Sequence, residues 1–445
     1  AVILASRVID ALSTAVLTIA LARFLGLQGY GTYAFAITIA ATAALVASMG
    51  IDSATSRFVA DGYNRRRGVA MVLWRGLRVR TVVAAVVFGG LIAVADQFAA
   101  LVGQPDMGNE IRAASLALFF SAGFQWVTGV YEGVRRGGRL ALMSVVKAAV
   151  EFVVVLAVLA AGFGVVAALL GNAIGYAAAV GIGLFLMRPY MRRRPRRQEE
   201  AGESTGGEDV STGAILRYGN HIWLAGIAWI LFDRVDQFLL GIFIGTDAVG
   251  LYDAPWKIAA ILGLLSLSLA SAVTPRVASA DPAEAGALVT KALRVAIVAY
   301  LVLAAITAVA ANDLFVTLLG ADFARSADVL IVLLPYLVLI GLAPILSRAL
   351  DYLGVAAVRK WIALATFLVN LALDLILIPT VGLLGAAIAT DISVLTFVVG
   401  HYVLCARRLP LDNRALAASG IRSLVAAGVG AIVCALVLLA PGPTL

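Results

Sequence analysis

The chain has 445 residues, 62% of them hydrophobic and only 13% charged, about half the charged fraction of a soluble domain. That excludes an ordinary water-soluble globule. Two cysteines, Cys405 and Cys434, and two distant histidines, His221 and His401, exclude a disulfide framework or a His/Cys metal cluster.

Apolar runs long enough to cross a bilayer recur from end to end, without the alternation of a β-barrel strand. They predict an all-α polytopic membrane protein. Thirteen spans are predicted, at roughly 2–22, 32–51, 81–101, 113–133, 141–162, 165–187, 217–243, 255–275, 293–311, 327–349, 359–378, 382–404 and 420–440. Ala1 lies within an apolar run, so the start reads as trimmed, and no cleavable signal is recognised. The expected division is an N-lobe of six spans (1–187), a flexible linker (188–213), a C-lobe of six spans (214–404) and a final linker with span 13 (405–445). The linker RRRPRRQEEAGESTGGEDVSTG, rich in Gly, Ser and Glu, separates the two lobes.

The two lobes are copies. ARFLGLQGYGTYAFAITIAATAALVASMGIDSATSRFVA, from Ala22, is echoed by LLGIFIGTDAVGLYDAPWKIAAILGLLSLSLASAVTPRVA, from Leu239. Gly31 matches Gly250, Tyr33 matches Tyr252, Thr55 matches Thr274 and Arg57 matches Arg276, each 219 positions apart. Glu151 matches Asn370 at the same offset, and the turn Phe163-Gly164 matches Val381-Gly382 at 218. An even number of spans per copy gives both the same orientation, as in a parallel repeat. The Gly-Tyr-Gly stretch is expected to form the turn between spans 1 and 2.

The net charge of +8 falls on one side. Basic residues crowd the connections after every even-numbered span, from Arg57 through Arg80 to Arg408. Only Arg23, Arg112 and Arg325 fall on the opposite connections. The positive-inside rule makes the basic side and the N-terminus cytoplasmic. The basic balance therefore reads as topology and contact with anionic headgroups, not nucleic-acid binding. The outer connections are short, the longest from about Asn312 to Ser326. The connection from Ser56 to Arg80 mixes arginines with Phe58, Met71, Leu73 and Trp74. It reads as an interfacial amphipathic helix, with a weaker counterpart over Ser279–Ala292.

Charges inside spans mark the candidate site, because they are costly in hydrocarbon and face a polar cavity or one another. They are Arg7 and Asp10 on span 1, Lys147 and Glu151 on span 5, and Asp233, Arg234 and Asp236 on span 7. Lys257 opens span 8, Asn370 and Asp374 lie on span 11, and Asp391 lies on span 12. Spacings of three and four put partners on one helix face. Two readings stand: a hydrated substrate cavity, or pairs that only neutralise each other. Arg57 and Arg276, at the feet of spans 2 and 8, are candidates for a cytoplasmic gate. Pro275, Pro335, Pro344 and Pro379 interrupt apolar runs as hinges or as ordinary membrane-helix prolines. No GxxxxGK[ST] loop and no Gly-Lys pair occurs. No cofactor is predicted, and energy must come from gradients, the membrane potential or the substrate's own concentration.

The first helix ending A-R-F-L-G, then G-Y-G-x-Y and G-I-D-S-A-T-S-R-F-V-A, resembles the polysaccharide-biosynthesis flippases of the multidrug/oligosaccharidyl-lipid/polysaccharide exporter superfamily. D-R-V-D-Q-F-L-L-G followed by G-L-Y-D-A is similar to that family's seventh-to-eighth helix signature. The resemblance implies two six-helix lobes across a V-shaped cleft, plus the extra C-terminal helix. It implies a plasma-membrane flippase carrying a polyprenyl-linked oligosaccharide to the outer leaflet, with Na+ or H+ as a coupling ion. Arg7, Lys147, Arg234 and Lys257 would shield the headgroup. Ser13-Thr14, where lipid II flippases carry an Arg-Asp pair, argue against lipid II as cargo. A cation-coupled multidrug or small-solute exporter of the same fold and a membrane glycan polymerase or ligase remain as alternatives. A major-facilitator carrier ranks third, because Arg57 and Asn64 stand where its loop around Asp61 needs glycine.

Overall fold

A computed structural model of the chain describes residues 2–64, 69–192, 211–353 and 356–439. The elements follow from one physical demand. In lipid, every backbone N–H and C=O must be satisfied within its own segment, so apolar runs become helices. In order they are α1 (Val2–Ser48), α2 (Ile51–Asn64), α3 (Ala70–Ala93), α4 (Ala95–Leu101), α5 (Gly108–Gly133), α6 (Gly137–Ala160) and α7 (Val165–Arg192). Then come α8 (Thr212–Phe243), α9 (Thr246–Ser279), α10 (Pro282–Leu318), α11 (Ala324–Val332), α12 (Leu334–Tyr352), α13 (Ala356–Val381), α14 (Leu383–Ala406) and α15 (Asn413–Leu439). Among the described residues, ten helices are long and apolar enough to cross a membrane, and the chain is an all-α, multi-pass membrane protein. α1 counts once in that figure, although it is two helices joined at Gly26.

The turn at Gly26 corrects the first expectation. Gly26 sits at φ 67°, ψ −176°, the one non-helical residue inside α1. Gly29, Tyr30 and Gly31 are helical, and Tyr30 and Tyr33 are buried. The Gly-Tyr-Gly stretch is therefore packing surface, not turn. A Cβ on Gly29 would fall 2.8 Å from that of Leu25, and the positive-φ backbone falls on Gly26 before it. Gly245, 219 positions on, has φ 125° and precedes α9. The duplication is thus anchored by a matched pair of turn glycines.

Four other boundaries differ from expectation. The stretch Ser56–Arg80 is not one interfacial helix: its first half completes α2, its second half opens α3, and Arg65–Arg67 lie outside the described residues. Residues 282–292, read as its weaker counterpart, are the start of α10, which runs unbroken for 37 residues. Asp281 starts it, accepting the backbone N–H of Glu284 at 2.8 Å, an N-cap followed by Pro282 in the first turn. The outer connection expected from Asn312 shrinks because α10 continues to Leu318. Span 10 is broken at Leu333 into α11 and α12. Pro335 occupies the first turn of α12, where its missing N–H costs no intrahelical bond, while Pro344 and Pro379 lie inside α12 and α13 and each removes one. The Pro275 side chain and most of the linker 188–213 lie outside the described residues.

The chain divides into two compact units, Ala1–Ile230 and Leu231–Leu445, with the division inside α8. In the first unit Ile51, Leu73, Trp126, Tyr131, Met143 and Ile215 form a buried cluster, and Tyr131 Oη donates to the Gly183 carbonyl at 2.8 Å. In the second unit Tyr300 fills the corresponding role. Its hydroxyl donates to the Leu262 carbonyl at 3.0 Å and accepts from the Ser266 N–H at 3.0 Å. The linker before α15 is strapped onto α10, with the Asp412 N–H donating to Thr290 at 3.2 Å and Arg294 donating to Ser419 at 2.7 Å.

Candidate functional site

Three polar groups interrupt the apolar interiors of the two units.

The first is in the second unit, where α8, α9, α13 and α14 bring together Asp236, Tyr252, Asp374 and Thr390, with Asn370 one turn before Asp374 on α13. All five are at most 3% exposed. The Tyr252 hydroxyl donates to Asp236 Oδ2 at 2.5 Å and lies 2.9 Å from the Thr390 hydroxyl, which also meets Asp236. The Asp374 carboxyl lies directly against that of Asp236. Asp236 Oδ1, both Asp374 oxygens and both polar atoms of the Asn370 amide have no hydrogen-bond partner. Two ionised carboxylates accept only, so facing each other they cannot satisfy one another. Burying them in that state is expensive and demands a shared proton or a cation between them. The donor set is all oxygen: two carboxylates, one amide carbonyl and one hydroxyl. That suits a small hard cation. With only two acidic residues and no sulfur or imidazole in the set, the chemistry suits an alkali cation better than a transition metal.

Neighbouring charges in this unit are settled locally. Lys257 Nζ lies 2.6 Å from Asp253 Oδ2, and Gln237 donates to Asp253 Oδ1 at 3.2 Å. Arg234 and Asp233 form a half-exposed pair at 3.5 Å. Tyr252, Trp256 and Tyr336 stack in series, with centroids 6.1 and 5.0 Å apart. Asp391 accepts the Tyr336 N–H at 2.7 Å. It caps α12 where span 10 is broken, a structural role.

The second group is in the first unit. Lys147 Nζ lies 2.9 Å from Glu151 Oε2, the Asn172 amide donates to Glu151 Oε1, and Lys147 Nζ lies 5.0 Å from the centre of the Tyr176 ring. Here charge is fully compensated.

The third group was not foreseen. Arg80, read as a loop residue, is 1% exposed inside α3. Its Nε lies 3.2 Å from Asp52 Oδ1, and its Nη1 donates to the Ala47 carbonyl at 2.5 Å. That carbonyl is in the last turn of α1, where no intrahelical donor is left. The turn that follows places Met49 at φ 40° and Gly50 at φ 63°. Asp52 also lines a cavity of about 560 Å³ between the start of α2 and α5, with Ser53, Ser56, Arg57, Gln125 and Glu132. Arg57, the expected gate residue, is exposed, and its guanidinium lies 4.1 Å above the Tyr218 ring. Arg276 is exposed at the end of α9. The Arg7 and Asp10 side chains lie outside the described residues.

The structure thus brings Asp236, Asn370 and Asp374 together, pairs Lys147 with Glu151, and leaves Arg57 at a separate cavity. Sequence reasoning missed Tyr252 and Thr390 as site residues. Only the duplication pointed at Tyr252, as the match of Tyr33.

Comparison with known proteins followed this geometry. Residues 1–281 match the family model described as polysaccharide biosynthesis protein, and residues 222–376 match that described as MatE. Agl15 of Haloferax volcanii, named "Probable low-salt glycan biosynthesis flippase", is 25% identical over 223 residues, 48% of this chain and 47% of its own. The chain spans about half the length of the curated relatives it matches. Of solved structures, lipid II flippase MurJ in an inward closed conformation is similar with TM-score 0.76 at 12% identity, covering 95% of this chain and 90% of its own. An inward-facing multidrug resistance MATE family transporter of the MOP superfamily is similar with TM-score 0.71 at 15% identity, covering 89% and 95%. At such identities the likeness is one of fold.

Proposed function

Because the chain belongs to the polysaccharide biosynthesis protein family, we propose that it is a cation-coupled flippase for a lipid-linked glycan. It carries a polyprenyl-linked oligosaccharide from the cytoplasmic to the outer leaflet of the cell membrane by alternating access, with its N-terminus cytoplasmic. This makes it a transporter, not a glycan polymerase or ligase. The observation that carries the coupling is the buried Asp236–Asp374 pair with its unpartnered oxygens. A site that is unstable empty and stable when loaded lets an ion gradient bias one state over another. Na+ fits the oxygen set, with Asp236, Asn370, Asp374 and Thr390 as its ligands.

Glycan as cargo is supported by the family and by the glycan-flippase name of Agl15. The cavity beside α2 adds chemical support, since hydroxyls, an amide and two carboxylates are suited to sugar hydroxyls. In this reading the exposed Arg57, beside that cavity, meets the anionic headgroup. Lys147 and Lys257 are engaged with carboxylates four residues away. Asp233 balances its neighbour Arg234, and Arg276 repeats Arg57 at the foot of α9.

A second reading, export of a drug-like cation, is favoured by the match of residues 222–376 to the MatE model. Reconstituted liposomes separate the two. A fluorescent polyprenyl-diphosphate oligosaccharide should become accessible to a membrane-impermeant quencher faster when a Na+ gradient is imposed. No gain in accessibility, together with gradient-driven uptake of an organic cation such as ethidium, would replace the flippase by the exporter.

A further inference from the structure

The duplication places the two buried polar groups at equivalent positions. At the offset of 219, Lys147, Glu151 and Val155 on α6 match Thr366, Asn370 and Asp374 on α13. Past the turn the offset is 218, and Asn172 and Tyr176 on α7 match Thr390 and Val394 on α14. Leu17 matches Asp236. The first unit therefore carries the same site in different dress. Its one carboxylate, Glu151, stands for an amide, and apolar Leu17 and Val155 stand for the carboxylates of the second unit.

What fills the two sites differs accordingly. Among the described residues of the second unit, the ion pairs formed by Arg234, Lys257 and Arg359 go to Asp233, Asp253 and Asp351, not to Asp236 or Asp374. Thr366 is buried, and its hydroxyl donates to the Ile362 carbonyl at 2.9 Å. In the first unit the Lys147 ammonium stands 2.9 Å from Glu151, beneath the face of Tyr176. The ring that cradles the ammonium is present where the ammonium is present, and is valine where it is not. Gly175 completes the fit, because a Cβ there would fall 2.7 Å from the Glu151 Cβ. Its match is Ser393, in the copy where Thr366 and Asn370 stand for the members of that ion pair.

We propose that Lys147 is a tethered cation, holding in the first unit the place that an exchangeable monovalent cation takes in the second. The inference rests on the coupling-cation reading above. One unit is permanently loaded and the other loads and unloads, so the transporter exchanges one ion per chain. The compact ammonium is a point charge on a flexible stem, suited to stand in for a small ion.

Equilibrium binding of 22Na+ to the purified full chain in detergent tests it, alongside Asp374→Asn, Lys147→Thr (the residue of the matched position) and the double variant. The expected stoichiometry is one Na+ for the parent, none for Asp374→Asn, two for Lys147→Thr and one for the double variant. Two sites in the parent, or no gain on Lys147→Thr in either background, overturns the proposal. No binding to the parent but one site in Lys147→Thr overturns the sodium reading of the second unit and leaves the tethered cation standing. If Lys147→Thr fails to fold in choline chloride, folding should return with NaCl. Lys147→Met with Glu151→Gln, which removes both charges, should fold in either salt. A Lys147→Thr protein that NaCl does not rescue while the uncharged pair folds counts against the proposal.

Discussion

Replacing Arg80 by methionine should destabilise the first unit, where the side chain joins α3 to α1, α2 and α5. The side chain is 1% exposed, lies in an ion pair with Asp52, and donates to the Ala47 carbonyl at 2.5 Å and the Ala122 carbonyl at 3.3 Å. Ala122 lies inside α5 and keeps its helical partner. Ala47 is left unsatisfied, which costs about 1–3 kcal/mol. Asp52 loses its counter-charge; its side chain is 18% exposed through the cavity, so this loss is smaller than for a sealed pair, for which about 3–5 kcal/mol is typical. Together the expected loss is about 3 kcal/mol. Arg80→Lys keeps the charge but cannot span Asp52 and Ala47 with one ammonium, so its loss should be intermediate. Asp52→Asn should restore about 1 kcal/mol to the Arg80→Met protein. A double-mutant cycle measured by reversible unfolding in mixed micelles reads these values directly. A loss for Arg80→Met within about 1 kcal/mol of the parent, or strict additivity of the two substitutions, refutes the assignment.

Other predictions follow from the same geometry. Asp374→Asn should remove Na+-dependent stabilisation of the protein, read as a melting temperature that no longer responds when choline is exchanged for Na+. Gly50→Ala should prevent folding or cost several times more than Gly26→Ala, because its Cβ would stand 2.0 Å from the Gly219 carbonyl oxygen while nothing lies within 4 Å of one at Gly26. Gly26→Ala meets only backbone strain, about 1–2 kcal/mol, and relative unfolding midpoints check both. Asp391→Ala should cost about 1 kcal/mol by uncapping α12, with hydrogen exchange of the Tyr336 amide rising first.

The apolar helices were legible because they rest on composition, and the repeat because it rests on matched residues such as Tyr33 and Tyr252. Asn370 and Asp374 were legible as a pair because helical spacing puts them on one face. Their meeting with Asp236 was not, because no local pattern says which face of α8 turns toward α13. Arg80 was misread because a charge at the edge of an apolar run looks like the end of that run. Only the free carbonyl of Ala47, a feature of tertiary structure, explains why a guanidinium goes inside. The turn was assigned to Gly-Tyr-Gly because three small or aromatic residues gave the stronger local signal. The left-handed residue was the single glycine at the end of A-R-F-L-G.

The unbroken run of α10 has a mechanical consequence. Its 37 residues reach about 55 Å at 1.5 Å per residue, against a hydrocarbon core of about 30 Å. The helix therefore stands out like a mast, and the strap before α15, with the Asp412 N–H on Thr290 and Pro410 packed on Gly286, stays its outboard part. A tilt of about 10° would sweep the far end through about 10 Å along such a length. A spin label near Glu284 would thereby register small rotations within the membrane as large displacements outside it.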